Sequence, residues 1–317
     1  MAFRHKVLLY EQMHRCGTDL LKQHCDLDYA KSFKEEDILT QVADVDAIII
    51  RANGAITASI IAAAPKLKVI GRHGVGLDTI DLQAAKEREI KVVYTPFANT
   101  ESVAEHFVCL ALMLAKKVRL GDAALRAGRW DARYTLTGTE LFAKTLGILG
   151  FGRIGQQTAH ICRNGFGMKV LYYDAIAYPE AEAELGARKA TAETIFAQSD
   201  FISINLPYLP ETRYFVNENL IRLMKPTAFL INMARGVIWK EEDVVKALME
   251  NRIAGVGSDV YENEPPGCDH PFCGMDNFAG TPHMSAHSEE AMVKMSLVAQ
   301  DVLAVLEGRE PEFPVKL

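Results

Sequence analysis

The sequence lacks the features expected of a secreted, membrane-spanning or nucleic-acid-binding protein. Its six cysteines are scattered and include no CxxC pair, which favours reduced thiols over a disulfide framework. The longest apolar run, residues 103–115, contains Glu105 and His106 and falls short of the roughly 20 residues that span a bilayer. The N-terminal apolar run is too short for a signal peptide. Lys and Arg do not cluster, and the formal net charge is −6, so no nucleic-acid partner is expected. We therefore predict a cytoplasmic protein with neither a membrane nor a nucleic-acid partner.

The sequence also offers little support for a metal site. The segment CDHPFC, residues 268–273, contains two cysteines and one histidine, but it lies among loop-forming residues and no second ligand pair accompanies it. His283 and His287 are four residues apart in TPHMSAH and would bind zinc only from one helical face with a third ligand. His283 follows Pro282 at a predicted strand end, and the next helix is expected to begin at Ser288. No metal is therefore predicted.

Short apolar runs alternate with helical patterns along almost the whole chain. The runs at residues 6–10, 47–50, 68–70 and 91–94 predict buried strands, and the segments between them predict helices. The alternation begins again at Thr145. Such βαβ alternation is typical of parallel sheets with helices on both faces. The 317 residues, 49% of them hydrophobic, therefore predict an α/β fold with two doubly wound parallel-sheet domains.

Two longer helical patterns stand outside this simple alternation. Ser102 and Glu105 have capping-box spacing, and apolar residues continue to Leu120, which predicts one helix from Ser102 to about Leu120. Its apolar surface predicts a homodimer, with burial inside one chain as the alternative. The last helical pattern, residues 289–306, could pack back on the first domain.

A glycine-rich loop at residues 150–155, GFGRIG, indicates a dinucleotide site. It follows a predicted strand and precedes a predicted helix. Gly150 would allow the tight turn, Gly152 the approach of a pyrophosphate, and Gly155 close packing of the helix on the strand. Asp174 ends the next strand, 19 residues after Gly155, where an acid would bind an adenosine ribose. Because a 2′-phosphate beside this acid would be repelled, NAD is predicted rather than NADP.

The position of this loop predicts the domain organisation. The loop is preceded by 149 residues, so the nucleotide-binding domain is expected to be inserted in a first domain. We predict a Rossmann domain at residues 99–284 and a substrate-binding domain made of residues 1–98 and 285–317. The cleft of such a two-domain protein would be the natural reaction site.

Three polar side chains come at the C-terminal ends of later predicted strands, where open α/β sheets bind ligands. They are Arg235 in INMARG, Glu264 in SDVYENEP and His283 in TPH. Arginine can bind and polarise an oxoacid, and histidine can exchange a proton at neutral pH with a glutamate orienting its ring. Taken one at a time, the alternatives are a surface ion pair for Arg235, a loop acid for Glu264 and a satisfied polar group for His283.

The sequence resembles the D-2-hydroxyacid dehydrogenase family, and within it the phosphoglycerate dehydrogenases that lack a C-terminal regulatory domain. The resemblance runs through GRHGVGLDTIDL, ESVAEH, GTELFAKTLGILGFGRIG, NMARG, SDVYENEPP and TPH. It implies a flavodoxin-like substrate domain and a catalytic set of Arg235, Glu264 and His283. Together with the glycine loop, it predicts cofactor contacts at Val75, Gly150, Gly152, Arg153, Ile154, Gly155, Asp174, Leu206, Ala234, Arg235, Asp259 and His283. The substrate contacts that it predicts are Arg51, Val75, Gly76, Arg235 and His283.

The function expected from this resemblance is the NAD-dependent interconversion of an (R)-2-hydroxyacid and its 2-oxoacid. The substrate candidates are 3-phosphoglycerate with 3-phosphohydroxypyruvate, and as alternatives hydroxypyruvate, glyoxylate and a sulfonated hydroxyacid. His73 and the RANG segment that begins at Arg51 depart from the family pattern where the substrate tail should lie. An NAD-sensing corepressor-like protein is the alternative from another functional class, and Glu264 argues against a formate dehydrogenase, where the family pattern expects Gln. Regulation by serine through a C-terminal domain is not expected.

Overall fold

The computed structural model describes residues 5–317, which divide into two compact units. One unit comprises the described residues up to Asn99 together with His287–Leu317, and the other comprises Thr100–Ala286. Within the described residues the twelve strands are β1 His5–Leu9, β2 Cys25–Tyr29, β3 Ala47–Ile50, β4 Val69–Arg72, β5 Lys91–Tyr94, β6 Thr145–Leu149, β7 Lys169–Tyr173, β8 Arg188–Lys189, β9 Phe201–Ile204, β10 Phe229–Asn232, β11 Gly255–Ser258 and β12 Phe278–Gly280.

The α-helices lie mostly between consecutive strands. They are α1 Arg15–His24, α2 Glu35–Leu39, α3 Ala58–Ala63, α4 Leu82–Glu87, α5 Thr100–Ala115, α6 Val118–Arg126, α7 Arg153–Phe166, α8 Pro179–Leu185, α9 Ala192–Gln198, α10 Glu218–Ile221, α11 Glu241–Met249, α12 Glu289–Ser296 and α13 Val298–Leu306. In residues 5–317 no helix combines the length and the apolar character that a membrane span needs.

The first unit is built on a five-stranded parallel sheet in the order β2-β1-β3-β4-β5. This is the flavodoxin-like order, in which the direction of winding reverses between the first and third strands. Successive strand residues face opposite sides, so Ile48 packs in one apolar cluster with Ile60 of α3. Its neighbour Ile49 packs in another cluster with Val302 of α13. Burial on both faces is the reason for the uninterrupted apolar strands.

The second unit is built on a seven-stranded parallel sheet in the order β12-β11-β10-β9-β6-β7-β8. Counted from β6, six of these strands follow the Rossmann order 3-2-1-4-5-6, with β12 as an added edge strand. The switch point therefore lies between β6 and β9. The two sheets confirm the predicted α/β class with two doubly wound parallel domains.

The prediction of one helix from Ser102 to about Leu120 was wrong. The chain forms α5 and α6, and between them Lys117 has a φ of +52°, a left-handed conformation that ends a right-handed helix. Ser102 lies inside α5, and its hydroxyl donates to the Ser285 carbonyl at 2.5 Å. The apolar side of α5 is buried within its own unit, where Phe107 and Leu110 pack in an apolar cluster with α7.

The last helical pattern also consists of two helices, α12 and α13, which meet at Leu297. They pack on α1, β4 and β5, as the sequence predicted. The side-chain oxygen of Ser288 accepts a hydrogen bond from the backbone N–H of Ala291, which confirms the predicted start of the helix at Ser288.

Candidate active site

The glycine loop lies at the switch point of the second sheet, between β6 and helix α7. Gly150 has a φ of +89°, and a Cβ atom there would lie 2.7 Å from the backbone of Asn205 and Leu206. A Cβ atom on Gly155 would lie 2.3 Å from the Gly150 carbonyl oxygen, so α7 packs closely on the loop. Gly152, at the N-cap of α7, has open space at its Cβ position. The loop thus fits a pyrophosphate beside the free N–H groups of a helix N-terminus.

Asp174 lies immediately after β7, at the same edge of the sheet as the glycine loop. Its Oδ2 accepts a hydrogen bond from the Phe151 N–H at 2.7 Å, and its Oδ1 accepts one from the Ile176 N–H at 3.3 Å. The carboxylate therefore links the loop to the end of β7 and remains half-buried. Its position suits a ribose diol and disfavours a 2′-phosphate, because two anions would be close together.

The second unit brings His283 and Glu264 into direct contact. Nδ1 of His283 lies 2.7 Å from Oε2 of Glu264. Since a carboxylate only accepts hydrogen bonds, the His283 ring donates from Nδ1. The Nε2 atom is then the nitrogen that can exchange a proton with a substrate. Both side chains retain exposure, 45% for His283 and 35% for Glu264.

The charge of Glu264 is stabilised by its surroundings. Burial works to raise its pKa, but the His283 hydrogen bond and charge, the Tyr261 N–H and the Arg235 charge together lower the pKa below its ordinary value. The Tyr261 N–H donates to Oε1 of Glu264 at 2.9 Å. Glu264 is therefore ionised at neutral pH and can hold the His283 ring in one orientation.

Gly236 allows the loop that carries Arg235 to approach the loop that carries Glu264. A Cβ atom at Gly236 would lie only 1.9 Å from the carbonyl carbon of Tyr261, so no other residue fits without moving one of the loops. The Arg235 guanidinium donates to the Ala234 carbonyl oxygen at 2.8 Å, and its charge acts on Glu264. The structure therefore groups the three predicted catalytic residues in one unit.

A buried carboxylate holds the backbone on which His283 lies. Asp259 is fully buried and accepts hydrogen bonds from the Thr281 hydroxyl at 2.6 Å and from the N–H groups of Met284 and Ser285 at 2.8 Å each. His283 has a φ of +49°, a conformation that persists only where neighbouring contacts fix it. Asp259 was predicted as a cofactor contact, and the role visible in the structure is to position this loop.

His106 belongs to the same network and was not singled out by the sequence reasoning. Its Nε2 lies 2.8 Å from the Thr281 hydroxyl oxygen and 4.0 Å from Oδ1 of Asp259. His106 is part of the ESVAEH motif, which carries the family resemblance, but the resemblance assigned no individual role to it. Gly236, inside NMARG, was missed in the same way.

The other predicted cofactor contacts of this unit lie at the carboxyl edge of its sheet. Arg153 and Ile154 form the first turn of α7, and Leu206 and Ala234 each come two residues after the ends of β9 and β10. Leu206 and Ala234 are 7% and 8% exposed. Their cofactor contacts remain predictions, which this common edge supports.

In the first unit, Arg51 follows β3 and lies beside His287. The Arg51 guanidinium donates to the Gln12 carbonyl oxygen at 3.1 Å and lies 3.0 Å from Nε2 of His287. Val75 and Gly76 are half-buried in the loop that follows β4. The preceding Gly74 has a φ of +132°, and its N–H donates to the Thr95 hydroxyl at 3.1 Å. The substrate contacts expected of these residues remain predictions.

His73 does not line an exposed surface, contrary to the expectation that its side chain would lie at the substrate tail. The residue is 2% exposed, and its Nε2 lies 3.0 Å from the Ser296 hydroxyl. Burial and the neighbouring charge of Arg51 lower the pKa of His73 to about 3. The ring is therefore neutral at physiological pH and belongs to the packing of the first unit.

The segment CDHPFC has contacts other than a metal ion. In CDHPFC, Nε2 of His270 lies 2.7 Å from Oε1 of Glu241, and both cysteines are exposed free thiols. Over residues 5–317, no group of three or more His, Cys, Asp or Glu side chains is arranged to hold a metal ion.

Comparison with known proteins gives the same family over most of the chain. Residues 108–285 match the family described as D-isomer specific 2-hydroxyacid dehydrogenase, NAD binding domain. The chain is 36% identical over 314 residues to a D-3-phosphoglycerate dehydrogenase of Methanocaldococcus jannaschii, covering 98% of this chain but 59% of that relative. It is 36% identical over 316 residues to a glyoxylate reductase of Pyrococcus furiosus, covering 96% of this chain and 94% of that relative.

The fold agrees with these sequence matches. The crystal structure of the TT0316 protein of Thermus thermophilus superimposes with a TM-score of 0.92 at 33% sequence identity, covering 98% of this chain and all of that chain. The chain thus spans nearly the whole of the Pyrococcus relative and less than two thirds of the Methanocaldococcus relative.

Proposed function

The chain belongs to the family of D-isomer specific 2-hydroxyacid dehydrogenases, and on that premise we propose that it interconverts an (R)-2-hydroxyacid and its 2-oxoacid with NAD. The observation that carries the proposal is the 2.7 Å contact between His283 and Glu264, in the unit that also holds the glycine loop. When bound, NAD supplies or accepts the hydride.

Each residue of the catalytic set has a role that its contacts support. Glu264 accepts the Nδ1–H of His283 and leaves Nε2 to donate a proton to the oxygen of a 2-oxoacid, or to take it from a 2-hydroxyacid. Arg235 carries the permanent positive charge that can bind the acid through two hydrogen bonds. Its charge acts on Glu264, and Gly236 lets the loops that carry the two residues approach each other, which supports a cation near the proton donor.

The cofactor site of the proposal is the carboxyl edge of the second sheet. Gly150, Gly152 and the N-terminus of α7 would bind the pyrophosphate, and Asp174 the adenosine ribose. The predicted contacts of Arg153, Ile154, Leu206 and Ala234 lie at this edge, which supports them. For the other part of the substrate site, we propose Arg51, Val75 and Gly76 from the first unit, as the family resemblance implies.

The relatives fall into two groups by the substrate in their names. Curated relatives of similar identity include D-3-phosphoglycerate dehydrogenases and glyoxylate reductases, so the family alone supports both a phosphorylated and an unphosphorylated acid. The test is NADH oxidation, followed at 340 nm, with glyoxylate, hydroxypyruvate, 3-phosphohydroxypyruvate and a sulfonated 2-oxoacid. Turnover of at least one of them is expected, and the absence of turnover with every acid would contradict the proposal.

The homodimer predicted through residues 102–120 stays a prediction. Because α5 buries its apolar side within its own unit, we propose that two copies of the chain meet instead through the segment from α6 to the end of the following loop. This segment has several exposed large apolar side chains: Val118, Leu125, Trp130, Tyr134 and Phe142 expose 53%, 60%, 67%, 72% and 69% of their surfaces. If they pair with a second copy, their apolar surface leaves water. The Arg133 guanidinium lies 4.7 Å from the Tyr134 ring centre. Light scattering at micromolar concentration should give the mass of a dimer, and a monomer would contradict this assignment.

We also propose a reducing compartment, the cytoplasm, for this protein. None of the six cysteines forms a disulfide, and the Cys162 thiol is buried, which raises its pKa to about 12. Such a thiol is unreactive. The thiol pattern supports a protein that does not depend on disulfides.

A further inference from the structure

The strand order of the first unit places a ligand site between β1 and β3. In an open α/β sheet, ligands bind outside the carboxyl ends of the strands at the point where the winding reverses. In the first sheet that point lies between β1 and β3. Glu11 and Gln12 follow β1, and Arg51 follows β3, so the two segments flank the switch point. This site rests on the proposed function, in which Arg51 contacts the far end of the substrate.

Arg51 supplies a positive charge to this site, and two hydrogen bonds orient its guanidinium. Its guanidinium has no acceptor atom, so it donates to the Gln12 carbonyl oxygen and to Nε2 of His287. His287 then accepts at Nε2 and contributes no positive charge from that atom. Arg72, on the next strand, donates to the Arg51 carbonyl oxygen and, at 3.5 Å, to the Thr79 hydroxyl, so its guanidinium binds the protein's own backbone.

Glu11 fills the hydrogen-bond donors of the turn that follows Arg51. Its Oε2 accepts from the N–H groups of Ala52 at 2.6 Å and Asn53 at 3.0 Å, and its Oε1 accepts from the Asn53 side-chain amide at 2.7 Å. These three donors point to one place beside Arg51, where they would otherwise suit an anionic ligand group. The protein's own carboxylate occupies that place.

Glu11 reduces the positive charge of this site. Its carboxylate accompanies the charges of Arg51 and of Arg72, whose guanidinium binds the Arg51 carbonyl oxygen, whereas Glu289 of α12 lies against Nε2 of His14 at 3.2 Å. A phosphate monoester brings a charge of about −1.5 to −2 at neutral pH. Next to Glu11 such a group would be repelled and would find the turn's donors already used.

We propose that Glu11 is a specificity-determining residue that excludes phosphorylated substrates, so that the enzyme acts on small 2-hydroxyacids and 2-oxoacids without a phosphate. Hydroxypyruvate and 3-phosphohydroxypyruvate form the matched pair that tests this, since they share one carbon skeleton and differ only in the phosphate. The quantity to measure is the ratio of kcat/KM for 3-phosphohydroxypyruvate to kcat/KM for hydroxypyruvate, with NADH.

The variant that isolates the charge is Glu11→Gln. The glutamine oxygen can accept from both backbone N–H groups, and the Asn53 amide can rotate to accept from the glutamine N–H, so the turn keeps its hydrogen bonds. Removing the negative charge that now occupies the donors of the turn should raise the ratio by about tenfold. The matched control is Glu87→Gln, which also removes one negative charge. Glu87 ends α4 shortly before β5 begins, so it lies toward the amino ends of the strands, away from the proposed site, and the variant should leave the ratio unchanged.

The outcomes separate this inference from the proposed function. A wild-type ratio below one, raised by Glu11→Gln but not by Glu87→Gln, supports the role of Glu11. The wild-type ratio needs no variant, so a value well above one overturns the inference even if Glu11→Gln fails to fold. An active Glu11→Gln enzyme with an unchanged ratio overturns the inference alone. An enzyme that reduces no 2-oxoacid contradicts the proposed function and this inference with it.

Discussion

The Nδ1 atom of His283 lies 2.7 Å from Oε2 of Glu264, and the two residues are held by different loops. Glu264 belongs to the loop after β11, fixed by the Tyr261 N–H. His283 belongs to the loop after β12, fixed by the buried Asp259. Because parallel strands end at one edge of the sheet, two neighbouring loops suffice to pair an acid–base group with the carboxylate that orients it.

The cofactor preference follows from the charge of Asp174. Asp174→Asn keeps an acceptor for the Phe151 N–H and removes the negative charge, so the glycine loop should stay in place while the repulsion of a 2′-phosphate disappears. We expect the ratio of kcat/KM for NADPH to that for NADH to rise by about tenfold or more. Steady-state kinetics with each cofactor measure this ratio. A wild-type enzyme that uses NADPH as well as NADH would contradict the assignment of Asp174.

The close approach at Gly236 predicts a large effect of one methyl group. In Gly236→Ala the new Cβ atom would meet the Tyr261 carbonyl carbon at 1.9 Å, so the loops carrying Arg235 and Glu264 must separate. A displacement of about 1 Å in such a site can cost roughly 100-fold in rate, and we expect a loss of that order in kcat/KM.

The matched control for this substitution is Gly165→Ala, in α7. A Cβ atom there meets nothing within 4 Å, and alanine favours a helix by up to about 1 kcal/mol over glycine. Gly165→Ala should therefore keep full activity and unfold at the same or a higher temperature. Equal activity of the Gly165→Ala and Gly236→Ala enzymes would show that the loop contact has no catalytic importance.

Burial of His73 predicts a loss of stability in acid. Its pKa in the folded protein is about 3 and in the unfolded chain about 6.5, so below about pH 6.5 the unfolded state binds the extra proton. This contribution to the free energy of unfolding is complete above pH 6.5 and falls as the pH decreases toward 3, by about 2 kcal/mol between pH 7 and pH 5.

Urea unfolding at pH 7 and pH 5 measures this contribution against His73→Gln, which can still bond to Ser296 but does not titrate. The wild type should lose about 2 kcal/mol more than the variant over this interval. Identical losses would show that the His73 ring can be protonated without unfolding the first unit.

The sequence was sufficient to predict two parallel sheets, most of their strands and the polar residues that follow the strands. The apolar run at residues 47–50 became β3 with the same bounds, because a strand buried on both faces must be apolar throughout. The run at residues 91–94 became β5 with the same bounds, and its two valines are buried. The edge strand β2 was missed because its sequence, CDLDY, has no continuous apolar run and contains two aspartates, which strands disfavour. In the second sheet the edge strand β8 was missed because it is only two residues long.

The contacts within the site could not be predicted from the sequence, because they depend on distances between loops. Nothing in the spacing indicated that Gly236 touches the backbone of Tyr261, that Asp259 is fully buried, or that His73 points into the core. The break at Lys117 was also hidden, since apolar residues continue across it. Glu11 was accessible in principle, because it follows a predicted strand as Arg51 does, but its role depends on three hydrogen bonds that only the structure shows.

The most direct measurement of the central claim is kcat for reduction of hydroxypyruvate by the wild type and by His283→Ala, with NADH affinity measured separately by fluorescence titration. General acid–base groups contribute about 10²–10⁴-fold, so kcat should fall by that order while the Kd for NADH changes little. His287→Ala should alter mainly KM, and a chelator should affect none of these enzymes. A His283→Ala enzyme that keeps wild-type kcat, or a wild type inactivated by removing metal, would contradict the account.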